Sequence, residues 1–207
     1  MKLSGIRVCI HELKVEDAYF FANWGAHQNP LFYDYNYQHH GVMGYRRWFE
    51  SRNHMFQHYF GIYLEERFIG FIGIKKINPL TKNSELGLVI DPNFTNRGIG
   101  LETMVLFLEH YFFKLKMKTM TLKVTKYNKD AIKLYRKLGF RFIGESRTLL
   151  EIKTSDLMHP EVQKYAFYLH RDCFGRIWEE VWKMKISKED FEKRGKNEVS
   201  IGSVNLI

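Results

Sequence analysis

Leu88-Val89-Ile90-Asp91-Pro92-Asn93-Phe94-Thr95-Asn96-Arg97-Gly98-Ile99-Gly100-Leu101-Glu102 joins an apolar run to an amphipathic one through a polar loop with two glycines. Upstream, Glu85 to Ile90 reads as a strand that Asp91-Pro92 ends, because proline has no N–H to give a ladder. Downstream, apolar residues at 101, 104, 105, 108, 111 and 112 recur at helical spacing. Gly98 to Lys116 is therefore expected to be a helix. A strand, a glycine loop and a helix start, in that order, aim consecutive N–H groups at one point, where phosphate binds well. Glycine also lets the backbone approach a ligand closely. A Gly-x-Gly alone is equally an ordinary tight turn, so its setting has to decide.

The pattern continues on both sides. Met117 to Val124 reads as a strand and Asn128 to Leu138 as a helix, with Gly139 where a C-terminal glycine belongs. Phe140 to Gly144 starts another strand. On the N-terminal side, His58 to Leu64 and Phe68 to Ile77 flank Glu65-Glu66-Arg67 and read as a hairpin. Asn78 to Asn83 is a loop. Ile6 to Leu13 reads as a strand, Val15 to Trp24 and Tyr45 to Met55 as helices, and Gly25 to Gly44 mostly as loop. Ser146 to Arg171 is weakly patterned, with a short helix expected from Glu161 to Leu169. Ile177 to Ile186 is the last strand, and Ser187 with Asp190 resembles a capping box for a short helix. The order implies an α/β fold: a mixed, mostly antiparallel central sheet of about seven strands flanked by helices. Residues 1–194 are expected to form one domain and residues 195–207 a frayed tail.

Composition narrows the function. Of 207 residues, 45% are hydrophobic and 27% charged, which is globular and excludes a disordered or fibrous chain. No apolar run approaches a membrane span, and no signal-peptide core opens the chain. Cys9 and Cys173 are too few for a disulfide scaffold and have no His or Asn pattern around them that marks a nucleophile. The expectation is a soluble, cytoplasmic protein. Ten basic residues and one acid lie between Phe112 and Arg141. That segment carries +9, the charge of the whole chain, and the remainder is neutral. A cationic surface on a neutral body fits an anionic ligand, or simply a solvated lysine-rich face. Zinc-finger, helix-turn-helix and RNA-recognition patterns are all missing, so nucleic acid is not the expected partner.

Two blocks carry a resemblance to a known family. Leu88 to Pro92 followed by Asn96 to Glu102, then Asn128, Ala131, Leu134, Tyr135, Leu138-Gly139-Phe140 and Gly144, resemble the acetyl-CoA signatures of the GNAT N-acetyltransferase superfamily. Glu16-Asp17-Ala18, Trp24 and Asn29-Pro30 are similar to the branch that acetylates ribosomal-protein N-termini, spermidine and amino sugars. Trp182 to Ile186 resembles the family's last strand. The resemblance is strong over residues 84–144 and weaker across 5–192.

The resemblance implies a sheet in which the strand at Glu85 splays from the strand at Met117. It implies acetyl-CoA as co-substrate, held along Leu88, Val89 and Ile90 and over Thr95, Asn96, Arg97, Gly98, Ile99 and Gly100, with Asn128, Ala131 and Tyr135 beside the pantetheine arm. The Val89 N–H is the expected donor to the thioester carbonyl. Tyr135 matches the family's thiolate proton donor, though its ring can instead pack on the sheet. Glu85 stands where the family often carries a base, though it can also be a plain surface carboxylate. The family's loop usually has Arg or Gln where this chain has Thr95, which implies weaker cofactor binding. Acceptor contacts are expected from Trp24, Tyr33, Tyr35 and Glu85, with Tyr37 and Trp48 as further aromatic candidates. His27 and the pair His39-His40 lie in the same loop, but no metal is expected. The implied activity is direct acetyl transfer to a primary amine in a ternary complex. The acceptor is a small amine or a peptide N-terminus, no membrane is involved, and the protein is a monomer or homodimer. The alternative is a non-catalytic acyl-CoA-binding regulatory domain. Ser146 to Arg171 is expected to form an acceptor wall or a dimer contact.

Overall fold

The computed structural model describes residues 1–38, 41–52 and 55–199, with side chains through residue 194. Its strands are β1 (Lys2–Ser4), β2 (Val8–Glu12), β3 (Gln57–Leu64), β4 (Arg67–Asn78), β5 (Asn83–Ile90), β6 (Thr119–Thr125), β7 (Arg141–Leu150), β8 (Leu169–Arg171) and β9 (Ile177–Ser187). The α-helices are α1 (Gly41–Glu50), α2 (Ile99–Glu109), α3 (Lys129–Lys137), α4 (Pro160–Gln163) and α5 (Lys188–Val199). The sheet runs β1-β2-β3-β4-β5-β6-β9-β7, and β8 pairs with β9. Every pairing is antiparallel except β5 with β6. Nine strands replace the expected seven because β1 and β8, three residues each, are too short for periodicity to reveal.

The β3–β4 hairpin forms without an Asn-Gly turn. Glu65 and Glu66 both take positive φ, +49° and +65°, which matches the twist of the flanking strands. Leaving glycine out costs about 1 kcal/mol per residue, and eight register pairs hold the turn in place.

Two other expectations change. Val15–Asn23 and Pro30–Tyr35 are 3₁₀ helices. The helix expected over 161–169 is only the four residues of α4, followed by a 3₁₀ turn at Ala166–Tyr168. The capping box at Ser187 does form: its Oγ accepts from the Asp190 N–H at 3.1 Å and Asp190 accepts from the Ser187 N–H at 3.2 Å. The helix it starts runs through Val199, so the expected tail begins inside α5. Residues 200–207 lie outside the described residues.

Alternation along β4 and β5 separates two cores. Ile72, Ile74 and Leu86 face α2 and α3, joining Met104, Phe107, Leu108 and Ile132. Phe68 and Phe71 belong to the other layer, with Phe21, Trp24, Tyr37 and Tyr45 from the N-terminal third.

The sheet opens between β5 and β6. Asn83, Ser84 and Glu85 pair with Thr119, Met120 and Thr121, and there the pairing stops. Beyond that point β5 stays on β4 and β6 stays on β9. Tyr111 ties the closed end together. α2 passes into a π-helical turn at His110–Lys114, which carries the fully buried Tyr111. Its hydroxyl bonds Ser84 Oγ of β5 at 2.8 Å and donates to the Thr119 carbonyl of β6 at 2.7 Å.

Candidate active site

The gap begins as a backbone feature. Asp91 donates its N–H to the Ile69 carbonyl at 2.8 Å. Hydrogen-bonding direction alternates along an antiparallel strand, so Val89 faces Phe71 of β4 within the ladder. Leu88 and Ile90 therefore turn their N–H and C=O groups into the gap. The Lys82 carbonyl, which accepts from Lys118 and Thr119 beside β6, has the same even-numbered parity. This corrects the expectation for Val89: its N–H is directed to β4, and the gap-facing donors are Leu88 and Ile90.

At the open end lies the start of α2. Asp91 is fully buried and its Oδ1 accepts from the Asn93 and Gly25 N–H groups at 2.9 and 2.8 Å, fixing the turn out of β5. Gly98 is the N-cap of α2 with φ +78°, a conformation glycine adopts without strain. Asn96 is also left-handed, at φ +58°. Gly100 has a packing role: a Cβ there would stand 3.3 Å from Leu134 Cδ2 and 3.4 Å from Ile90 Cδ1. Its smallness seats α2 against α3 and β5.

Thr95 bonds the Pro92 carbonyl through Oγ1 at 3.0 Å and offers no charge. A cation arrives from elsewhere. Arg7 pairs with Glu102 (Nε to Oε2, 2.8 Å) and donates from Nη1 to the Arg97 carbonyl at 3.0 Å. Its Nη2 lies 3.4 Å from where a Gly98 Cβ would stand. Glu102 is itself anchored by the N–H groups of Arg7 and Val8, at 2.6 and 3.1 Å. The Arg97 guanidinium lies over the Phe94 ring, as does that of Arg67. The loop thus has three guanidiniums around it, and Arg7 was not legible as one of them from the sequence. Of the cationic segment, Lys129, Lys133, Arg136 and Lys137 are exposed. Lys126 is engaged by Glu145 and Glu180 at 2.8 and 2.7 Å, and Arg141 by Asp190.

α3 starts at the mouth of the gap. Asn128 caps it by accepting the Ala131 N–H at 3.1 Å. Tyr135 is 8% exposed and packs on Phe140. Its hydroxyl has no hydrogen bond among the described residues, and burial pushes its pKa well above the ordinary phenol value. It is a neutral phenol with a proton to give.

The 3₁₀ helix Pro30–Tyr35 lies across the open end. The Tyr127 hydroxyl donates to the Leu31 carbonyl at 3.2 Å and to Glu179. Glu179 sits on β9 beyond the last residue paired with β6, and also accepts from Thr148 Oγ1 at 3.1 Å. Burial raises its pKa, against the pull of the Tyr127 and Thr148 hydrogen bonds, and the charge of Asp34 raises it further. Asp34 is raised too, first by partial withdrawal of its carboxyl from water and then by Glu151. Tyr35 keeps 38% of its surface exposed. Burial, then the charges of Glu179 and Asp34, push its pKa up to about 12. Tyr35 in turn raises Tyr135. Tyr127 and Glu179, directly bonded, thus stand beside the 3₁₀ turn that carries Asp34 and Tyr35.

A family model described as an acetyltransferase (GNAT) domain matches residues 7–141. The chain belongs to the GNAT acetyltransferase family. Among curated GNAT relatives, the spermidine N(1)-acetyltransferase of Escherichia coli K12 is 29% identical over 115 residues, covering 48% of this chain and 62% of that protein. Acetyltransferase PseH of Campylobacter jejuni is 34% identical over 100 residues, covering 47% and 61%. The chain thus spans just over three-fifths of the length of each. Among solved structures, Mycobacterium smegmatis RimJ in complex with CoA-disulfide superposes with a TM-score of 0.70 at 15% identity, covering 98% of this chain and 95% of that one. Vibrio cholerae spermidine N-acetyltransferase in complex with CoA and spermine gives 0.66 at 18% identity, covering 90% and 98%. These likenesses establish a shared fold.

Within the GNAT frame the other expected residues divide. Trp24, expected in the acceptor wall, is 5% exposed and packed among Phe21, Tyr37, Phe68 and Phe71, so it is core. Tyr37 is buried in the same cluster, and Trp48 packs against it. Tyr33 is exposed and bonds the Gln28 carbonyl at 3.3 Å. Glu85 lies at the closed end and pairs with Lys76 at 2.7 Å and Lys75 at 3.2 Å. Burial alone would raise its pKa, but the two lysines outweigh that and hold it below the ordinary carboxylate range. A carboxylate so stabilised is a weak proton acceptor. His39 and His40 lie outside the described residues. No group of three or more His, Cys, Asp or Glu is arranged for a metal among the described residues, and no helix there is long and apolar enough to cross a membrane. Asp34 and Glu179 were missed in the sequence. Glu179 sits inside an ordinary strand and Asp34 in a turn too short to show a period.

Proposed function

We propose that this protein transfers acetyl from acetyl-CoA directly to a primary amine. The observation that carries the reading is the opened sheet: at Leu88 and Ile90 the backbone of β5 faces a gap that ends at the N-terminus of α2. Residues 96 to 100 and Arg7 would hold the diphosphate, the α2 N–H groups supplying the donors and Arg7 the charge that Thr95 lacks. The gap-facing groups of Leu88 and Ile90 would pair with the pantetheine amides and align the thioester. Acetyl-CoA, once bound, supplies an activated acyl carbon.

Direct transfer needs no covalent enzyme intermediate. The amine nitrogen forms the new C–N bond, the C–S bond breaks, and Tyr135 protonates the departing sulfur. Burial keeps the phenol protonated, so its proton is in place to pass to the sulfur as the C–S bond breaks. Glu85 would serve the closed end as a structural ion pair. Two similar proteins support an amine acceptor: a spermidine acetyltransferase among the relatives and a spermine complex among the fold neighbours. The acceptor class is a polyamine, a peptide N-terminus or an amino sugar. The test is release of CoA thiol from acetyl-CoA against spermidine, N-terminal peptides and glucosamine. Acceptor-dependent release is expected. Acetyl-CoA binding with no release for any amine would favour the non-catalytic alternative.

A further inference from the structure

Resting on that reading, we infer that Asp34 and Glu179 form the ammonium site of the acceptor, and that Glu179 rather than Glu85 receives its proton. Three observations converge. The first is position. Pro30–Tyr35 lies over the open end of the gap, tied there by Tyr127, which bonds Leu31 and Glu179 together. Asp34 and Tyr35 are therefore carried to the end of the gap where Tyr135 stands. The second is the hydroxyl of Tyr135. It belongs to a side chain more than nine-tenths buried, it has no partner among the described residues, and its titratable neighbour is Tyr35. A buried phenol without a partner, on the helix that starts at the mouth of the gap, marks where reacting atoms belong. The third is the state of Glu179. Its 9% exposure and two hydroxyl donors hold it in a fixed orientation. Each carboxylate oxygen still has a lone pair to offer.

Glu179 is buried without a lysine or arginine partner, which is costly, and the charge of the exposed Asp34 adds to that cost. A cation between them removes both penalties. Asp34 and Glu179 have no ion pair among the described residues; the buried Asp17 and Asp91 have none either, but each of those accepts from backbone N–H groups. The pair is thus complementary to a protonated amine. The proton accounting closes. The ammonium gives one proton to Glu179, and the freed lone pair forms the C–N bond at the acyl carbon. The C–S electron pair leaves with sulfur, which takes the Tyr135 proton. The second nitrogen proton restores Tyr135, and Glu179 releases its own to solvent, for a net release of one proton per turnover. A cationic amine is therefore the fitting class of acceptor, and one with a second positive charge gains from Asp34 and Glu151 together.

The test uses the full chain with acetyl-CoA and spermidine, an N-terminal peptide or glucosamine as acceptor. Asp34→Asn should raise the acceptor KM about tenfold or more, the value of one charge-assisted contact. Its kcat and its affinity for CoA should hold, and Asp34→Glu should restore the KM. Glu179→Gln should lower kcat about 100-fold, as loss of a general base does. It should also shift the acidic limb of the kcat/KM profile, which Asp34 alone would then set. The groups facing Glu179 are Tyr127, Tyr35 and Asp34, with Thr148 from β7, and none of the tyrosines titrates in that limb. CoA affinity measured by calorimetry separates a folded variant from a collapsed one. If Glu179→Gln does not fold, Asp34→Asn on its exposed turn decides. Unchanged acceptor kinetics in both variants of an active enzyme would overturn the inference while leaving the transferase reading intact. If no amine is turned over, spermidine binding to the CoA-loaded protein is compared between the native chain and Asp34→Asn, and equal or absent binding overturns it.

Discussion

The two ends of the β5–β6 gap treat a carboxylate in opposite ways. At the closed end, Glu85 stands between two lysines and is held ionised. At the open end, Glu179 has only hydroxyls to bond and Asp34 to repel it, and its proton is held more tightly. The closed end is clamped by Tyr111, whose one hydroxyl joins both strands. The open end is spanned by a 3₁₀ turn from another part of the chain. Charges are balanced where the sheet needs rigidity and left unbalanced where a ligand can balance them. A perturbed carboxylate marks a functional site only when its perturbation leaves something unsatisfied.

Four substitutions would break or sharpen this contrast. Tyr135→Phe at the open end should lower kcat about 100-fold or more while CoA affinity stays within about twofold, the signature of a lost proton donor. Equal turnover would return Tyr135 to a packing role. Gly98→Asp should weaken CoA binding about 100-fold, because it adds like charge where the diphosphate would lie and strains a φ of +78°. Calorimetric titration with CoA reads this directly. Arg7→Ala should weaken CoA about fivefold to tenfold, one charge-assisted contact partly exposed to solvent. Unchanged affinity would mean that Arg97 or Arg67 supplies the charge.

The smallest effect belongs to the closed end. Glu85→Gln should leave kcat within about threefold and cost about 1 kcal/mol of stability at pH 7, the upper range for a part-exposed ion pair. The folded pKa of Glu85 is lowered from 4.5, so its contribution is present above that value and lost as pH falls through the folded one. Melting curves of native and variant protein should therefore converge as pH falls below the ordinary glutamate range and through the lowered folded pKa. A large loss of turnover instead would restore Glu85 as the base.

What the sequence disclosed followed from local signals. Gly98, Asn128 and Gly139 are start and stop residues whose roles depend on their neighbours in the chain, and all three serve as expected. The glycine loop, the two helices it introduces and the hairpin were legible for that reason. The misreadings came from relations between distant segments. Which edge of β5 faces the gap depends on which neighbour takes its odd residues, and no property of Val89 itself encodes that. Trp24 looked like a pocket residue because aromatics suit pockets and cores alike. Arg7 and Asp34 reach the site through tertiary contacts that the local pattern of their own segments does not encode.

Glu102 has a further consequence. It gathers the N–H groups of Arg7 and Val8 and the Arg7 guanidinium onto the first turn of α2. The outermost strands of the sheet are thus fastened to the loop proposed to hold the cofactor. Linkage then runs in both directions: whatever holds the loop also slows local unfolding of the β1–β2 edge. Amide exchange with deuterium at Val8 to Glu12 would fall on adding CoA, although no atom of the ligand need touch them. The edge of the sheet becomes a reporter of occupancy at a site it only adjoins.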